Sequence, residues 1–191
     1  MTMNYWHRVA CRSAVWEWLT ATKVVPWVLR DVRLGASTLE IGPGFGANVA
    51  PLCERTPSLA GLEIDPALAA RLRARFDTRL RVIDGDATAM PLPDNEFDSV
   101  VSFTMLHHVP TPAQQDDLFA EAHRVLRPGG VFAGSDGLDN PLFRLQHLGD
   151  TCVPVPPHTL ADRLTTAGFT DIDIRTGRGM FRFRAERPRH D

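Results

Sequence analysis

Apolar residues along this chain gather into short runs, and longer stretches in which they recur every three or four positions lie between the runs. Short runs bounded by turn residues read as strands, and the longer periodic stretches read as amphipathic helices. The runs fall at 38–41, 59–64, 80–83, 97–103, 131–135, 172–175 and 180–184, which predicts seven strands. Helical patterns fall at 47–54, 66–76, 113–126 and 159–167. Pro66 stands in the first turn of the second helix, Arg127-Pro128-Gly129-Gly130 closes the third and Gly168 closes the fourth. Alternation of this kind predicts an α/β domain built on a mostly parallel sheet. In the last run Phe181 and Phe183 interleave with Arg182 and Arg184, the pattern of a strand with one buried and one solvated face.

Two segments stand outside the alternation. The residues before Gly35 carry Trp6, Trp16 and Trp18 at helix-like spacing and Trp27 after Pro26, which predicts one or two helices packed on the domain. Residues 137–157 form a long stretch rich in Pro, Leu, Phe and Asp. A loop of that length in a compact domain is usually functional. This one leaves the sheet at the strand ends where open α/β sheets bind ligands. A chain of 191 residues is short for a cofactor domain plus a separate substrate domain, so loops must meet the substrate.

Composition narrows the partners. A net charge of -2 gives no basis for electrostatic capture by nucleic acid or an anionic membrane. Arg175, Arg178, Arg182, Arg184, Arg187 and Arg189 belong to the strand pattern instead of to a basic binding patch. Cys11, Cys53 and Cys152 lie far apart, which implies neither a disulfide framework nor a zinc site. His7 and Cys11 share an i, i+4 spacing but lack a third ligand, so no metal is expected. The first residues are too polar for a signal peptide and no apolar run approaches a membrane span, which predicts a soluble cytoplasmic protein.

The first predicted strand runs into Leu39-Glu40-Ile41-Gly42-Pro43-Gly44-Phe45-Gly46, a turn in which a ligand can lie against backbone. Read as Gly42-x-Gly44-x-x-Ala47, with Glu63 about 20 residues on, it fits a dinucleotide fingerprint. A carboxylate at Glu40 would repel a pyrophosphate but would pair with an amino-acid ammonium. Two cofactors therefore compete for one motif.

Further motifs follow in order: Gly61-Leu62-Glu63-Ile64-Asp65, Asp84-Gly85-Asp86-Ala87, Leu92-Pro93-Asp94-Asn95-Glu96-Phe97-Asp98, Leu106-His107-His108-Val109 and Arg124-Val125-Leu126-Arg127-Pro128-Gly129-Gly130. Together with the glycine turn they resemble the class I S-adenosylmethionine-dependent methyltransferases. The resemblance is strongest to the group that includes quinone-biosynthesis C-methyltransferases and many natural-product enzymes. It implies a Rossmann-like three-layer fold, a seven-stranded mostly parallel sheet with the last strand antiparallel, in a single methyltransferase domain over 1–191. Residues 1–35 would form a helical lid and 137–157 a substrate-side insertion. It implies S-adenosylmethionine as cofactor and S-adenosylhomocysteine as product. Glu40 would face the ammonium, Gly42, Pro43 and Gly44 the methionine moiety, and Glu63 with Ile64 the ribose. Asp86 and Ala87 would hold the adenine, with Phe103 at the end of the fourth strand beside the cofactor.

Methyl transfer is an in-line displacement that needs mainly alignment and exclusion of water. A general base helps when the acceptor carries a proton, and His107 and His108 follow the fourth strand where the methyl group would lie. Tyr5 and His7 in the lid, and Asp136, Arg144 and His147 after the fifth strand, are the candidate substrate-binding groups. The expected acceptor is a small molecule, methylated on carbon, oxygen or nitrogen, and the expected assembly is a monomer or homodimer. Two alternatives stand beside this: a cofactor-binding protein that does not methylate, such as a cyclase or regulatory partner, and a nicotinamide-dependent oxidoreductase.

Overall fold

The computed structural model describes Val9 and residues 11–177 and 179–189. All seven predicted strands form one sheet: β1 (Ser37–Ile41), β2 (Ser58–Glu63), β3 (Arg81–Asp84), β4 (Phe97–Phe103), β5 (Leu126–Gly137), β6 (Thr170–Gly177) and β7 (Met180–Glu186). Their order is β3-β2-β1-β4-β5-β7-β6. The pairs from β3 to β5 are parallel, while β7 runs antiparallel to both β5 and β6, so the last strand alone is reversed.

Alternation along the strands feeds two apolar layers. On one side Leu39, Ile41, Leu62, Val100, Phe132 and Phe183 pack against α5 (Pro112–Val125) and α7 (Pro157–Thr166), through Leu118, Phe119, Leu160 and Leu164. On the other side Leu59, Val101, Phe103 and Ala133 meet α2 (Val25–Val28), α3 (Val49–Cys53) and α4 (Pro66–Phe76). The neighbours Val100 and Val101, and Phe132 and Ala133, supply opposite layers, as a pleated strand requires. The helix starts are capped locally. Asp65 accepts from the N–H groups of Ala67 and Leu68 ahead of Pro66, and Thr111 accepts from the N–H of Gln114 ahead of Pro112. At the start of β1, Asp98 accepts from the N–H groups of Ala36 and Ser37 and pairs with Arg127.

Three expectations change. The helix before β5 ends at Val125, and Arg127-Pro128-Gly129-Gly130 is part of the strand, bulging between the Phe97–Leu126 and Ser99–Val131 pairs. Pro128 disfavours helical geometry at Arg127, and Gly129 takes φ +80°. The face of β7 that carries Arg182 is covered by the segment at the end of α2: Arg182 is buried and donates to the carbonyl of Trp27 and to Asp31. The segment after β5 holds a short helix, α6 (Pro141–Gln146), capped by Asn140, whose side chain accepts from the Phe143 N–H. Before β1, α1 (Ala14–Leu19) joins α2 through a π turn at Thr20–Val24, giving one helical run. Trp6 lies outside the described residues. No helix among the described residues is long and apolar enough to cross a membrane.

Candidate active site

The turns that leave β1, β2 and β4 open into one cavity of about 420 Å³. Gly42, Pro43, Gly44, Glu63 and Ile64 line one end, and Phe103, His107, His108 and His147 line the other. Gly42, Gly44 and Gly46 all have positive φ (+66°, +56° and +81°). The turn is held by donation from Gly42 N–H to the Leu62 carbonyl at 2.9 Å and from Gly46 N–H to the Pro43 carbonyl at 2.8 Å. A Cβ on Gly42 would overlap Met105. A Cβ on Gly44 would meet no atom nearer than the Gly42 carbonyl oxygen at 4.0 Å, so it would project into space that a ligand can fill.

Glu63 ends β2 in a buried position. One carboxylate oxygen accepts from Gly44 N–H and the other from Asp65 N–H, both at 3.0 Å. Burial pushes its carboxyl above the ordinary range, against the pull of those two N–H groups. Each oxygen keeps a lone pair for a further donor, which suits a pair of ribose hydroxyls. Glu40 is also buried, on β1. Its Oε1 accepts from Asn48 Nδ2 at 2.9 Å and its Oε2 is buried without a hydrogen-bond partner. Burial raises this carboxyl from 4.5 to about 7, the Asn48 hydrogen bond opposes the rise and nearby Glu63 adds to it. Glu40 stands behind the cavity wall, with Asn48 lining it. A buried carboxylate oxygen with no donor beside a glycine turn fits a ligand that brings an ammonium group and does not fit a pyrophosphate.

The two residues expected at the adenine lie outside the cavity lining. Asp86 is exposed and its Oδ1 accepts from the N–H and hydroxyl of Thr88, both at 2.9 Å, closing a local turn on itself. Ala87 packs against the apolar core, and neither residue lines the cavity.

At the other end, Thr104 follows β4 at φ +49° with its N–H donating to the Ser135 carbonyl, and the chain turns through Leu106–His108. His107 and His108 are buried. Asp136, buried on β5, accepts from the His107 backbone N–H at 2.9 Å and from its Nδ1 at 2.5 Å. That contact fixes Nδ1 as the protonated nitrogen and gives Nε2 the lone pair. The Nε2 atom is buried and has no hydrogen-bond partner. His147, just past α6, brings its ring centroid to 4.7 Å from that of His107, and His108 lies at 4.1 Å. Phe143 stacks edge-on against His107 at 5.0 Å.

Asp136 and His147 therefore join the two predicted histidines. Arg144 does not: it sits on the exposed side of α6, where it pairs with Asp139 at 2.6 Å. On a six-residue helix it lies next to Phe143 in sequence but points away from the cavity. Tyr5 and His7 lie outside the described residues. From the N-terminal segment Cys11 and Trp16 line the cavity, and burial, with Asp150 nearby, pushes the Cys11 thiol up to about 11. Sequence reasoning missed Asn48 and Phe143. Asn48 was marked only by its place two residues after the glycine turn, and Phe143 by nothing local.

Residues 39–134 match the family described as a methyltransferase domain. A Mycolicibacterium smegmatis relative named Probable S-adenosylmethionine-dependent methyltransferase is 33% identical over 162 residues, covering 80% of this chain and 59% of the relative. Erythromycin 3''-O-methyltransferase of Saccharopolyspora erythraea is 32% identical over 170 residues, covering 75% of this chain and 54% of that protein. The chain thus spans between half and two thirds of the length of these curated relatives. In fold it is similar to a chain of the Haloferax volcanii complex between the Trm112 methyltransferase activator and a methyltransferase, with a TM-score of 0.75 at 19% identity, covering 97% of this chain and 96% of that one.

Proposed function

The chain belongs to the methyltransferase-domain family, the class I S-adenosylmethionine-dependent methyltransferases, and from that premise we propose that it transfers a methyl group from S-adenosylmethionine to a small molecule held beside His107. The observation that carries this reading is the single cavity, which joins a backbone cradle at Gly42 to Gly44 with a buried histidine and aspartate end. Cofactor and acceptor would share one enclosed space.

In this reading the Gly42-Pro43-Gly44 turn holds the methionine moiety, Glu40 meets its ammonium through the wall at Asn48, and Glu63 beside Ile64 takes the ribose hydroxyls. The adenine would rest near Ile64 and Leu68, which line the cavity where Asp86 and Ala87 do not. The bound sulfonium supplies an electrophilic methyl carbon with a good leaving group. What the chain must add is alignment and a dry site. Phe103, Phe143 and Met180 wall the acceptor end. His107, oriented by Asp136, presents an Nε2 lone pair to take a proton from a hydroxyl, amine or acidic carbon. His108 and His147 complete that wall as substrate contacts. Cys11 and Trp16 on the cavity support a lid role for the N-terminal segment. In this reading the protein works in the cytoplasm, as a monomer or homodimer. The buried carboxylate at Glu40 argues against the nicotinamide alternative.

Calorimetric titration with S-adenosylmethionine, S-adenosylhomocysteine and NAD in parallel tests the reading. Micromolar binding of the first two and none of the third is expected. Binding of NAD alone would overturn it, and cofactor binding without methyl transfer across a broad acceptor screen would point to the non-methylating alternative.

A further inference from the structure

We propose that His107, His108 and His147 form a binding site for a divalent transition-metal ion, of which zinc(II) is the representative, at the acceptor end of the cavity. One ring nitrogen from each of the three lies within 4.8 Å of those from the other two, and all three residues are buried. They come from two places in the chain, the turn after β4 and the end of α6, so local helix or strand periodicity does not explain their meeting.

The surroundings of the rings give the cluster its direction. Nδ1 of His107 faces Asp136 at 2.5 Å, Nδ1 of His108 faces the Thr151 carbonyl at 3.2 Å, and Nδ1 of His147 faces the Phe143 carbonyl at 2.7 Å. An oxygen acceptor against Nδ1 of each ring selects the tautomer with its lone pair on Nε2. A metal-ligating histidine uses the same arrangement, with its second nitrogen donating to a carboxylate or a backbone carbonyl. Asp136 is the carboxylate in this set, and it is itself fixed by the His107 and Gly137 N–H groups.

Three imidazoles suit zinc, copper, nickel or iron better than magnesium or calcium, which prefer oxygen. Tetrahedral coordination at roughly 2.0–2.1 Å places ligand nitrogens about 3.4 Å apart. The cluster is somewhat wider than that and closes by small ring rotations. Three protein ligands leave a fourth position, which opens on the cavity that the three histidines line. Cys11 lines the same cavity, but its raised thiol pKa makes it a poor fourth ligand. In methyl transfer, a role that rests on the activity proposed above, an ion here would acidify an oxygen acceptor. His107 would then be a ligand in the loaded protein and a base in the metal-free one.

Cobalt(II) is the probe, added to tag-free, chelator-treated protein. The expected result is one equivalent bound, with visible d–d absorption of a four- or five-coordinate site. Ring 15N resonances of His107, His108 and His147 should be displaced or broadened, with His158 unaffected. Zinc(II) should compete the cobalt away. His147→Ala should weaken binding at least about 100-fold, and Asp136→Asn about 10–100-fold, the range typical of a lost outer partner. Binding below a tenth of an equivalent by wild-type protein would overturn the proposal, as would a stoichiometric site unchanged in His147→Ala. If His147→Ala fails to fold, the wild-type histidine resonances decide alone. S-adenosylhomocysteine affinity, measured on the same samples, reports the other end of the cavity. Metal binding without cofactor binding would therefore refute the activity reading and leave the site standing, and the reverse would refute the site alone.

Discussion

The glycine-turn end of the cavity is made of backbone, and the histidine end is made of side chains. At the first, N–H groups of Gly44 and Asp65 converge on Glu63, and the turn with Glu40 and Glu63 lies between Leu39 and Asp65. At the second, the turn Leu106–His108, Asp136 on β5 and His147 past α6 must be brought together by the whole sheet. A backbone cradle tolerates variation in its neighbours but not in its glycines and its two carboxylates. A side-chain cluster can be altered residue by residue. One scaffold can thereby keep a fixed cofactor and exchange acceptors.

The sharpest way to break the comparison is His107→Ala. We expect turnover, on an acceptor found by labelled-methyl screening, to fall by about 100–10,000-fold, while S-adenosylhomocysteine affinity stays within about threefold by calorimetry. Equal loss of both would mean that the two ends are one mechanical unit. Glu63→Ala should do the converse. It strands two backbone N–H groups and removes the ribose acceptor, weakening S-adenosylhomocysteine by about 100-fold, from two charged hydrogen bonds at about 1.5 kcal/mol each. Unchanged affinity would remove Glu63 from the cofactor site.

Glu40 sharpens the comparison by pH. Its carboxyl is raised from 4.5 to about 7 in the folded protein, so its contribution to stability is fully present below about 4.5 and lost as pH rises through about 7. Urea unfolding should show Glu40→Gln gaining on wild type between pH 5 and pH 8, by up to about 3 kcal/mol. Cofactor binding should run the other way, tightening with pH in wild type as the carboxylate becomes available to an ammonium, and flat in Glu40→Gln. A wild-type affinity independent of pH between 6 and 8 would deny Glu40 that partner. The smallest effect belongs to Arg144→Ala. An exposed pair with Asp139 is worth little, so neither stability nor cofactor affinity should move measurably. A measurable loss of acceptor turnover would return Arg144 to the site.

The same contrast explains what the sequence made legible. All seven strands were readable because each is a short apolar run between turn residues, and the glycine turn with Glu40 and Glu63 was readable because its parts are local. His107 and His108 could be found by position, at the end of a strand on the carboxyl edge. Arg144 and His147 looked alike in sequence, two polar residues three apart in one apolar stretch. They part because α6, whose start at Asn140-Pro141 went unread, ends at Gln146: Arg144 stays on its exposed side, while His147 falls just past the helix end, where the backbone leaves helical geometry and the ring turns in. Asp86 stands apart from the cavity lining for a different reason, since a short acidic side chain in a turn spends one oxygen on its own neighbours, here the Thr88 N–H and hydroxyl. Arg182 failed because the packing of the N-terminal segment on β7, through Trp27 and Asp31, was hidden. Alternation marks a solvated face only where no other element packs on it.

That position of β7 also sets an order in time. Chains are made from the amino end and fold as they emerge, and β7 is synthesised after every other strand of the sheet yet must enter between two of them. The pairs that bring Phe181 to Asp136 and Met180 to Gly137 form only then. Until they do, the strand carrying the partner of His107 has an open edge and β6 has no neighbour, while β1, β2 and the glycine turn can already be in place. A nascent chain would therefore acquire its cofactor cradle before its acceptor end, and a ribosome stalled shortly before Met180 would hold a half-sheet able to grip one reactant and not the other.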